Sequence, residues 1–230
     1  MNLVGQIVEW FANPHHWRGL GGVPVRLAQH LEYSVFALLV AAAIAVPLGA
    51  GVGHTRRGVF LIVGFANGLR ALPELGLLTL LVLGVGIGLV PVVVALAVLG
   101  IPPLLAGTYA GIRNVDARVV DAARGMGMRE RQVLFKVELP NALPLMLGGL
   151  RAAELQVIAT AVVAAYVSFG GLGRYLIDGL ATGDGAEQAA GAVLVVLLAL
   201  AAEGLLVLLQ RRLVSPGLRA EPIGPTGAQR

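Results

Sequence analysis

The sequence predicts an all-α, polytopic membrane protein with about five transmembrane helices. Of its 230 residues, 57% are hydrophobic and only 13% are charged, whereas an average soluble domain has roughly 45–50% apolar and about 25% charged residues. The apolar residues form several blocks of about 17–25 residues, the length that a helix needs to cross a bilayer. The net charge of +4 does not point to nucleic acid as a partner, because the basic residues gather at the ends of the apolar blocks, as the positive-inside bias predicts for a protein in a lipid bilayer.

The first 28 residues are expected to form an interfacial segment on the outer side of the membrane. Its apolar run, Leu3–Phe11, is interrupted by Gln6 and Glu9 and is too short to span a bilayer. We expect a helix in the headgroup region, with Trp10 and Trp17 close to the lipid headgroups. The polar interruptions also argue against a cleavable signal peptide, so we expect the N-terminus to be retained.

Residues 29–212 are expected to form the transmembrane domain, and residues 213–230 a disordered cytoplasmic tail. The second apolar block is too long for one straight span, so Pro73 is expected to break or kink it. Residues 169–185 contain glycines and three charges, which is typical of a short helix and a turn rather than a span. The predicted spans are at about 31–53, 59–86, 89–109, 142–167 and 189–209.

The basic residues predict the orientation of the chain. They are concentrated at Arg56 and Arg57, in the segment 113–136, and at Arg211 and Arg212. Two predicted spans separate each of these groups from the next, so all three can face the cytoplasm. We therefore expect the N-terminus outside and the C-terminus in the cytoplasm.

The polar loop at residues 111–138 is predicted to contain two short helices joined by a glycine turn. Asn114 or Asp116 can cap the first helix, Gly125 and Gly127 permit a sharp bend, and the second helix is expected to end at Pro140. An ordinary connector between two spans is the alternative. In the first helix, Val119, Ala122 and Ala123 lie at helical spacing. They would form a face of small residues that could enter a groove on another protein.

The same loop carries a motif that resembles the EAA signature of ABC importer permeases, Glu-Ala-Ala-x3-Gly-x9-Ile-x-Leu-Pro. Asp121 stands in place of the signature's Glu, and Val137 in place of its Ile; both replacements are conservative. In that family the loop is the coupling helix that docks into the ATP-binding subunit. The resemblance therefore implies a role in coupling to an ATPase for Asp121, Ala122, Ala123, Gly127, Val137, Leu139 and Pro140.

The resemblance covers about residues 26–212 and extends to permeases of the glycine betaine/carnitine/choline group of osmoprotectant importers. It is carried by the stretches 30–53, 71–88, 107–128 and 169–184. It implies the type I ABC importer permease (MetI-like) fold in the inner (plasma) membrane of a bacterium. It also implies three kinds of partner: two ATP-binding subunits, an extracytoplasmic substrate-binding protein, and a second copy of the chain or a related permease. An importer of methionine or another amino acid is the alternative, and a channel or secondary transporter is a more remote one.

No catalytic or cofactor site is expected in this chain. The phosphate-binding loop of ATPases requires Gly-x4-Gly-Lys-Ser/Thr, and no such sequence precedes Lys136, the only lysine. ATP and Mg are therefore expected on the partner ATPase. The four histidines, at positions 15, 16, 30 and 54, are predicted to lie outside the spans without the spacing of metal ligands. An intramembrane enzyme is thus disfavoured.

Charged residues at membrane depth are candidates for function or for structural pairing. Arg70 and Glu74 flank Pro73 at a separation of four residues, and Arg151 precedes Glu154 by three. Each pair could neutralise itself on one helix face, or line the translocation path. Because aromatic residues make up only 5% of the chain and quaternary ammonium groups are usually held by aromatic cages, we expect high-affinity recognition to reside in the separate binding protein.

Overall fold

The computed structural model describes residues 2–214, and this part of the chain contains helices and no strand. The predicted all-α class is confirmed, whereas the predicted tail lies outside the described residues from position 215 onward. A π-helical turn (Leu134–Glu138) and two 3-10 helices (Pro14–Trp17 and Ala161–Val167) connect some of the α-helices. The α-helices are α1 (Leu3–Ala12), α2 (Val23–Thr55), α3 (Val59–Arg70), α4 (Glu74–Val85), α5 (Leu89–Arg113), α6 (Ala117–Gly125), α7 (Glu130–Val133), α8 (Leu139–Thr160), α9 (Gly173–Thr182) and α10 (Gly185–Leu213).

Four helical stretches of the described chain are long and apolar enough to cross a membrane. They are α2, α5, α10 and the continuous stretch Glu130–Val167, which contains α7 and α8. Taken together, α3 and α4 also meet the same requirement, and they are bent by 83° relative to each other. The bend lies where Pro73 was predicted to break the second span, because proline lacks the N–H that would continue the helix. Four or five spans agree with the prediction of about five.

Helix α2 is longer than the span predicted at 31–53. Its 33 residues extend over about 50 Å at 1.5 Å per residue, which exceeds the roughly 30 Å of a hydrocarbon core. The early start places His30 inside the helix, where its side chain is fully buried. His30 is accommodated because its Nε2 donates a hydrogen bond of 3.0 Å to the carbonyl oxygen of Ile158.

Helix α5 forms the centre of the bundle, between α2 and α8. In the most apolar stretch of each spanning helix, 67% of the residues are buried in α5, compared with 11% in α10. The apolar side chains of α10 therefore face outward, as expected in a bilayer. The backbones of α5 and α8 approach closely where Gly107 meets Gly149, since a Cβ on Gly107 would lie 2.7 Å from the Cα of Gly149. Small residues permit such close packing of membrane helices.

The second helix of the polar loop was predicted to end at Pro140, and that prediction was wrong. α8 begins at Leu139, and the helical stretch continues to Val167. Pro140 is tolerated because it lies in the first turn of α8, just after a π-helical turn in which the N–H of Leu139 donates to the carbonyl of Leu134. The wider turn accommodates a residue that cannot donate a hydrogen bond.

The N-terminal helix α1 packs against α10, and the predicted short helix within residues 169–185 is α9. Trp10 of α1 is buried in an apolar cluster with Tyr175 of α9, so it faces protein instead of the expected headgroups, whereas Trp17 is exposed. The hydroxyl of Tyr175 donates a hydrogen bond of 2.7 Å to the carbonyl of Gly21. Burial raises the pKa of Tyr175 to about 12, so the hydroxyl remains a donor.

Candidate functional site

Helices α6 and α7 form the predicted pair of short helices in the polar loop. The carboxylate of Asp116 accepts a hydrogen bond of 2.8 Å from the N–H of Arg118 and so caps α6. Asn114 follows the last residue of α5 instead. The turn between the two helices contains Gly127 at φ +81°, a conformation that glycine adopts without steric cost. The glycine turn is therefore confirmed.

Only part of the predicted docking face of α6 is exposed. Ala123 is 2% exposed and packs with Val120 and Val133 inside the loop, so the prediction that it faces a partner was wrong. It points inward because α6 needs an apolar contact with the residues after the glycine turn. The exposed side of α6 carries Val119, Ala122 and Met126, which lie on one stripe at helical spacing.

A chain of ionic contacts links α6 to α7 and to the end of α2. Arg124 lies 3.6 Å from the carboxylate of Asp121 and donates two hydrogen bonds of 3.0 Å to Glu130. These hydrogen bonds raise the pKa of the Arg124 guanidinium, so it stays charged. On the other side of Glu130, the Nε2 of His54 lies 3.2 Å away, and its Nδ1 lies 2.5 Å from Glu138. The sequence analysis missed the role of His54, because nothing near it in the chain indicates partners 76 and 84 positions away.

The second half of the motif fastens the loop to the bundle. Leu139 packs against a cluster formed by residues of α2, α5 and α8. Val137 packs against the apolar core of the α6–α7 loop, while Pro140 is exposed. Val137 and Leu139 thus face inward, and the motif residues that are exposed before Pro140 are Asp121, Ala122 and Gly127.

Arg70 and Glu74 do not form the predicted ion pair in the described part of the chain. Arg70 ends α3 and Glu74 begins α4, and the 83° bend between these helices removes the common face that an i, i+4 pair needs. Arg70 borders an open cleft of about 320 Å³ that is also lined by Asn67 and Tyr109. Glu74 borders a separate, small apolar pocket between α4, α5 and Ala161–Val167.

Arg151 does not pair with Glu154, as was predicted, but with residues of α10. Its Nε donates a hydrogen bond of 2.9 Å to Glu203 of α10, its Nη2 contacts the same carboxylate, and its Nη1 lies 3.3 Å from Gln210. Glu154 is 4% exposed, and neither of its carboxylate oxygens has a hydrogen-bond partner among the described residues. The i, i+3 pairing was therefore wrong, because a helix-to-helix contact with α10 replaces it.

A helical membrane bundle from which a short two-helix loop protrudes is the architecture of an ABC importer permease. The fold is similar to that of the MetNI methionine ABC transporter in inward-facing conformations, with a TM-score of 0.73 at 21% identity, over 81% of this chain and 94% of that chain. An amino acid ABC transporter solved with histidines is also similar, with a TM-score of 0.64 at 21% identity over 81% and 91% of the two chains. These structures confirm the predicted MetI-like fold.

The chain belongs to the family described as the binding-protein-dependent transport system inner membrane component, which matches residues 34–220. It is 33% identical over 195 residues to the carnitine transport permease protein OpuCB of Listeria monocytogenes, covering 85% of this chain and 89% of that protein. The choline transport system permease protein OpuBB of Bacillus subtilis is 32% identical, over 83% and 88% of the two chains. The osmoprotectant import permease protein OsmW of Salmonella typhimurium is 33% identical, over 83% and 91%. The chain is thus a multi-pass inner-membrane permease subunit of an ABC importer, which works with ATPase and binding-protein partners.

Proposed function

We propose that this chain is the permease of an ATP-driven importer of quaternary ammonium osmoprotectants such as glycine betaine, choline or carnitine. The observation that carries this proposal is identity above 30%, over more than four-fifths of both chains, to permeases that are named for these solutes. The alternative substrates, methionine and other amino acids, have support only from a likeness in fold at 21% identity. The osmoprotectants are therefore the favoured cargo.

The assembly that we propose contains two ATP-binding subunits, an extracytoplasmic binding protein and a second permease, identical or related. ATP and Mg bind to the ATPase subunits, since this chain has no phosphate-binding loop sequence. The N-terminus lies outside and the C-terminus in the cytoplasm. This orientation is supported by the contact of His54 with Glu138, which brings the basic residues after α2 and those of the polar loop to the same side of the bundle.

In this assembly, residues 111–138 couple the permease to the ATPase. Asp121 and Ala122 are exposed on α6 and provide the docking surface. Gly127 shapes the turn beside that surface. The motif residues that face inward keep the loop in shape and in position; they are Ala123, Val137 and Leu139. Pro140, which follows them, is exposed.

The translocation path, in this proposal, follows the cleft between α3 and α5. Arg70, Asn67 and Tyr109 supply polar groups to an otherwise apolar lining there, as a solute passing through a membrane requires. Pro73 gives the bend that separates Arg70 from Glu74. Arg151 serves the structure instead, because its guanidinium is bound to α10, and Glu154 lies beside it in the protein interior.

Uptake by the reconstituted complex tests the proposed function. Proteoliposomes that contain the permease, its ATPase and its binding protein are supplied with labelled glycine betaine, choline, carnitine, proline or methionine. We expect ATP-dependent accumulation of at least one quaternary ammonium solute and none of methionine. Accumulation of methionine or proline alone would overturn the substrate assignment, and accumulation without ATP would overturn the assignment to an ATP-driven importer.

A further inference from the structure

His54 occupies the last turn of α2, where the span meets the polar loop. Its side chain is 13% exposed, and each of its two ring nitrogens faces a carboxylate of the loop. Nδ1 lies 2.5 Å from Glu138 and Nε2 lies 3.2 Å from Glu130. A single side chain of a spanning helix therefore bridges two acidic groups that belong to two different segments of the loop.

The two carboxylates lie at opposite ends of a segment that changes from α-helix to a π-helical turn. Glu130 is the first residue of α7, and Glu138 is the last residue of the π-helical turn that leads into α8. π-Helical turns are rare, occur mostly as single turns inside α-helices, and are frequent at functional sites. A displacement of α7 relative to α8 would change the separation of the two carboxylates, and His54 would transmit that change to α2.

The contacts continue from His54 to the exposed side of α6. Glu130 accepts two hydrogen bonds from Arg124, which in turn lies 3.6 Å from Asp121. By contrast, the apolar cluster between α6 and α7 contains no residue of α2 among the described residues. Glu130 of α7 therefore meets α2 through the imidazole of His54, whereas Leu134, directly after α7, packs in the apolar cluster that contains Ala50 of α2.

The chemistry of the ring makes this bridge specific. A carboxylate can only accept hydrogen bonds, and a neutral imidazole carries one N–H, so it can donate to one of its two neighbours; the imidazolium ion donates to both. Glu138 is 5% exposed, and leaving a buried carboxylate without its donor is costly. Glu130 is largely exposed, so its contact with His54 contributes less to stability than the contact with the buried Glu138.

We propose that His54 is a positioning residue that transmits movement of the α6–α7 loop to the spanning helix α2. The inference rests on the proposed coupling role of the loop. When the ATPase moves α6, the chain Asp121–Arg124–Glu130 pulls on the imidazole, which is anchored at Glu138, and α2 moves with it. His54 itself contacts neither ATP nor the transported solute.

The test measures uptake per ATP hydrolysed by the complete reconstituted complex, with whichever of labelled glycine betaine, choline and carnitine the wild-type complex accumulates. It also measures the amount of ATPase subunit that co-purifies with the permease. We expect His54→Gln to retain the ATPase subunits while uptake per ATP falls by about fivefold or more, the usual size of a coupling between distant sites. Glu130→Gln, at an exposed position that folding tolerates, should lower uptake per ATP in the same direction. Thr55→Ala is the matched control, because the Thr55 hydroxyl donates to the carbonyl of Gly51 and accepts from the N–H of Arg57, both close to it in the chain.

Unchanged uptake per ATP in both glutamine variants would overturn this inference, and so would loss of the ATPase subunits from the His54→Gln complex, since His54 would then only support the docking surface. Failure of the proposed function, on which this inference rests, would give a different result. In that case Gly127→Asp, a change in the loop itself, would leave uptake normal, or the wild-type complex would accumulate none of glycine betaine, choline and carnitine.

Discussion

At the scale of single residues, the charged groups in the spans pair across helices rather than along them. Arg151 binds Glu203, 52 positions away, and leaves its near neighbour Glu154 without a hydrogen-bond partner in the described chain. Spacing along a helix shows which residues can share a face, but it does not show which other helix covers that face. A carboxylate on α10 within reach of a guanidinium on α8 decides the pairing.

Substitutions of Glu203 and of its neighbour Glu154 are predicted to affect stability differently. Glu203→Ala removes the acceptor of Arg151 and should lower stability by about 1.5–3 kcal/mol, the worth of a hydrogen bond to a charged group. Glu154→Gln keeps the shape of the side chain and removes a buried charge, so it should leave stability unchanged or raise it. Thermal unfolding of the purified permease in detergent measures both. A larger loss of Tm for Glu154→Gln than for Glu203→Ala would contradict this account.

Gly171 is predicted to be intolerant of substitution. It has φ +76°, and a Cβ there would overlap the hydroxyl of Tyr33. Gly171→Ala should therefore cost more than the about 1–2 kcal/mol of left-handed strain alone. Gly183→Ala is the control, since Gly183 has φ +74° and no atom within 4 Å of the added Cβ. If the two variants lower the Tm equally, the overlap with Tyr33 contributes nothing.

At the scale of elements, the sequence predicted the loop helices and the glycine turn but not which side of α6 is buried. In a short helix with many small residues, more than one face has small residues at helical spacing, so spacing alone does not show which face is buried. The contact with Val133 places Val120 and Ala123 on the buried side. Helix ends were predicted less well, because polarity and proline were taken as boundaries. His30 and Pro140 continue their helices since a carbonyl of another helix and a π-helical turn, respectively, accommodate them.

Neighbouring positions of α6 are predicted to differ in accessibility. The chain contains no cysteine, so a single introduced cysteine can be labelled without background. Ala122→Cys should react quickly with a maleimide, and Ala123→Cys, whose side chain points inward, should react at least about tenfold more slowly. Addition of the ATPase subunits should protect Ala122→Cys. Rapid labelling of both cysteines would show that α6 does not pack as described, and unprotected labelling of Ala122→Cys would argue against docking on this face.

At the scale of the whole molecule, loss of the loop is predicted to separate membrane insertion from transport. Gly127→Asp places a charge at the turn in a conformation that Asp tolerates better than most residues, and deletion of residues 121–127 removes most of α6. Both should abolish ATP-dependent uptake, while the protein still inserts, because the spans are unchanged. Uptake and co-purification of the ATPase are measured beside membrane abundance. Gly183→Asp provides a glycine turn of similar φ outside the loop, and undiminished uptake by Gly127→Asp would remove the coupling assignment.

The class of the protein follows from the amino-acid sequence alone. Long apolar blocks require spanning helices, basic residues at their ends predict an orientation, and the spacing of the motif from Asp121 to Pro140 identified a permease that the fold and the family confirm. Which groups meet depends on tertiary packing. The pairs His54–Glu138 and Arg151–Glu203 depend on how separate helices pack, and packing brings together residues whose positions in the chain carry no information about each other.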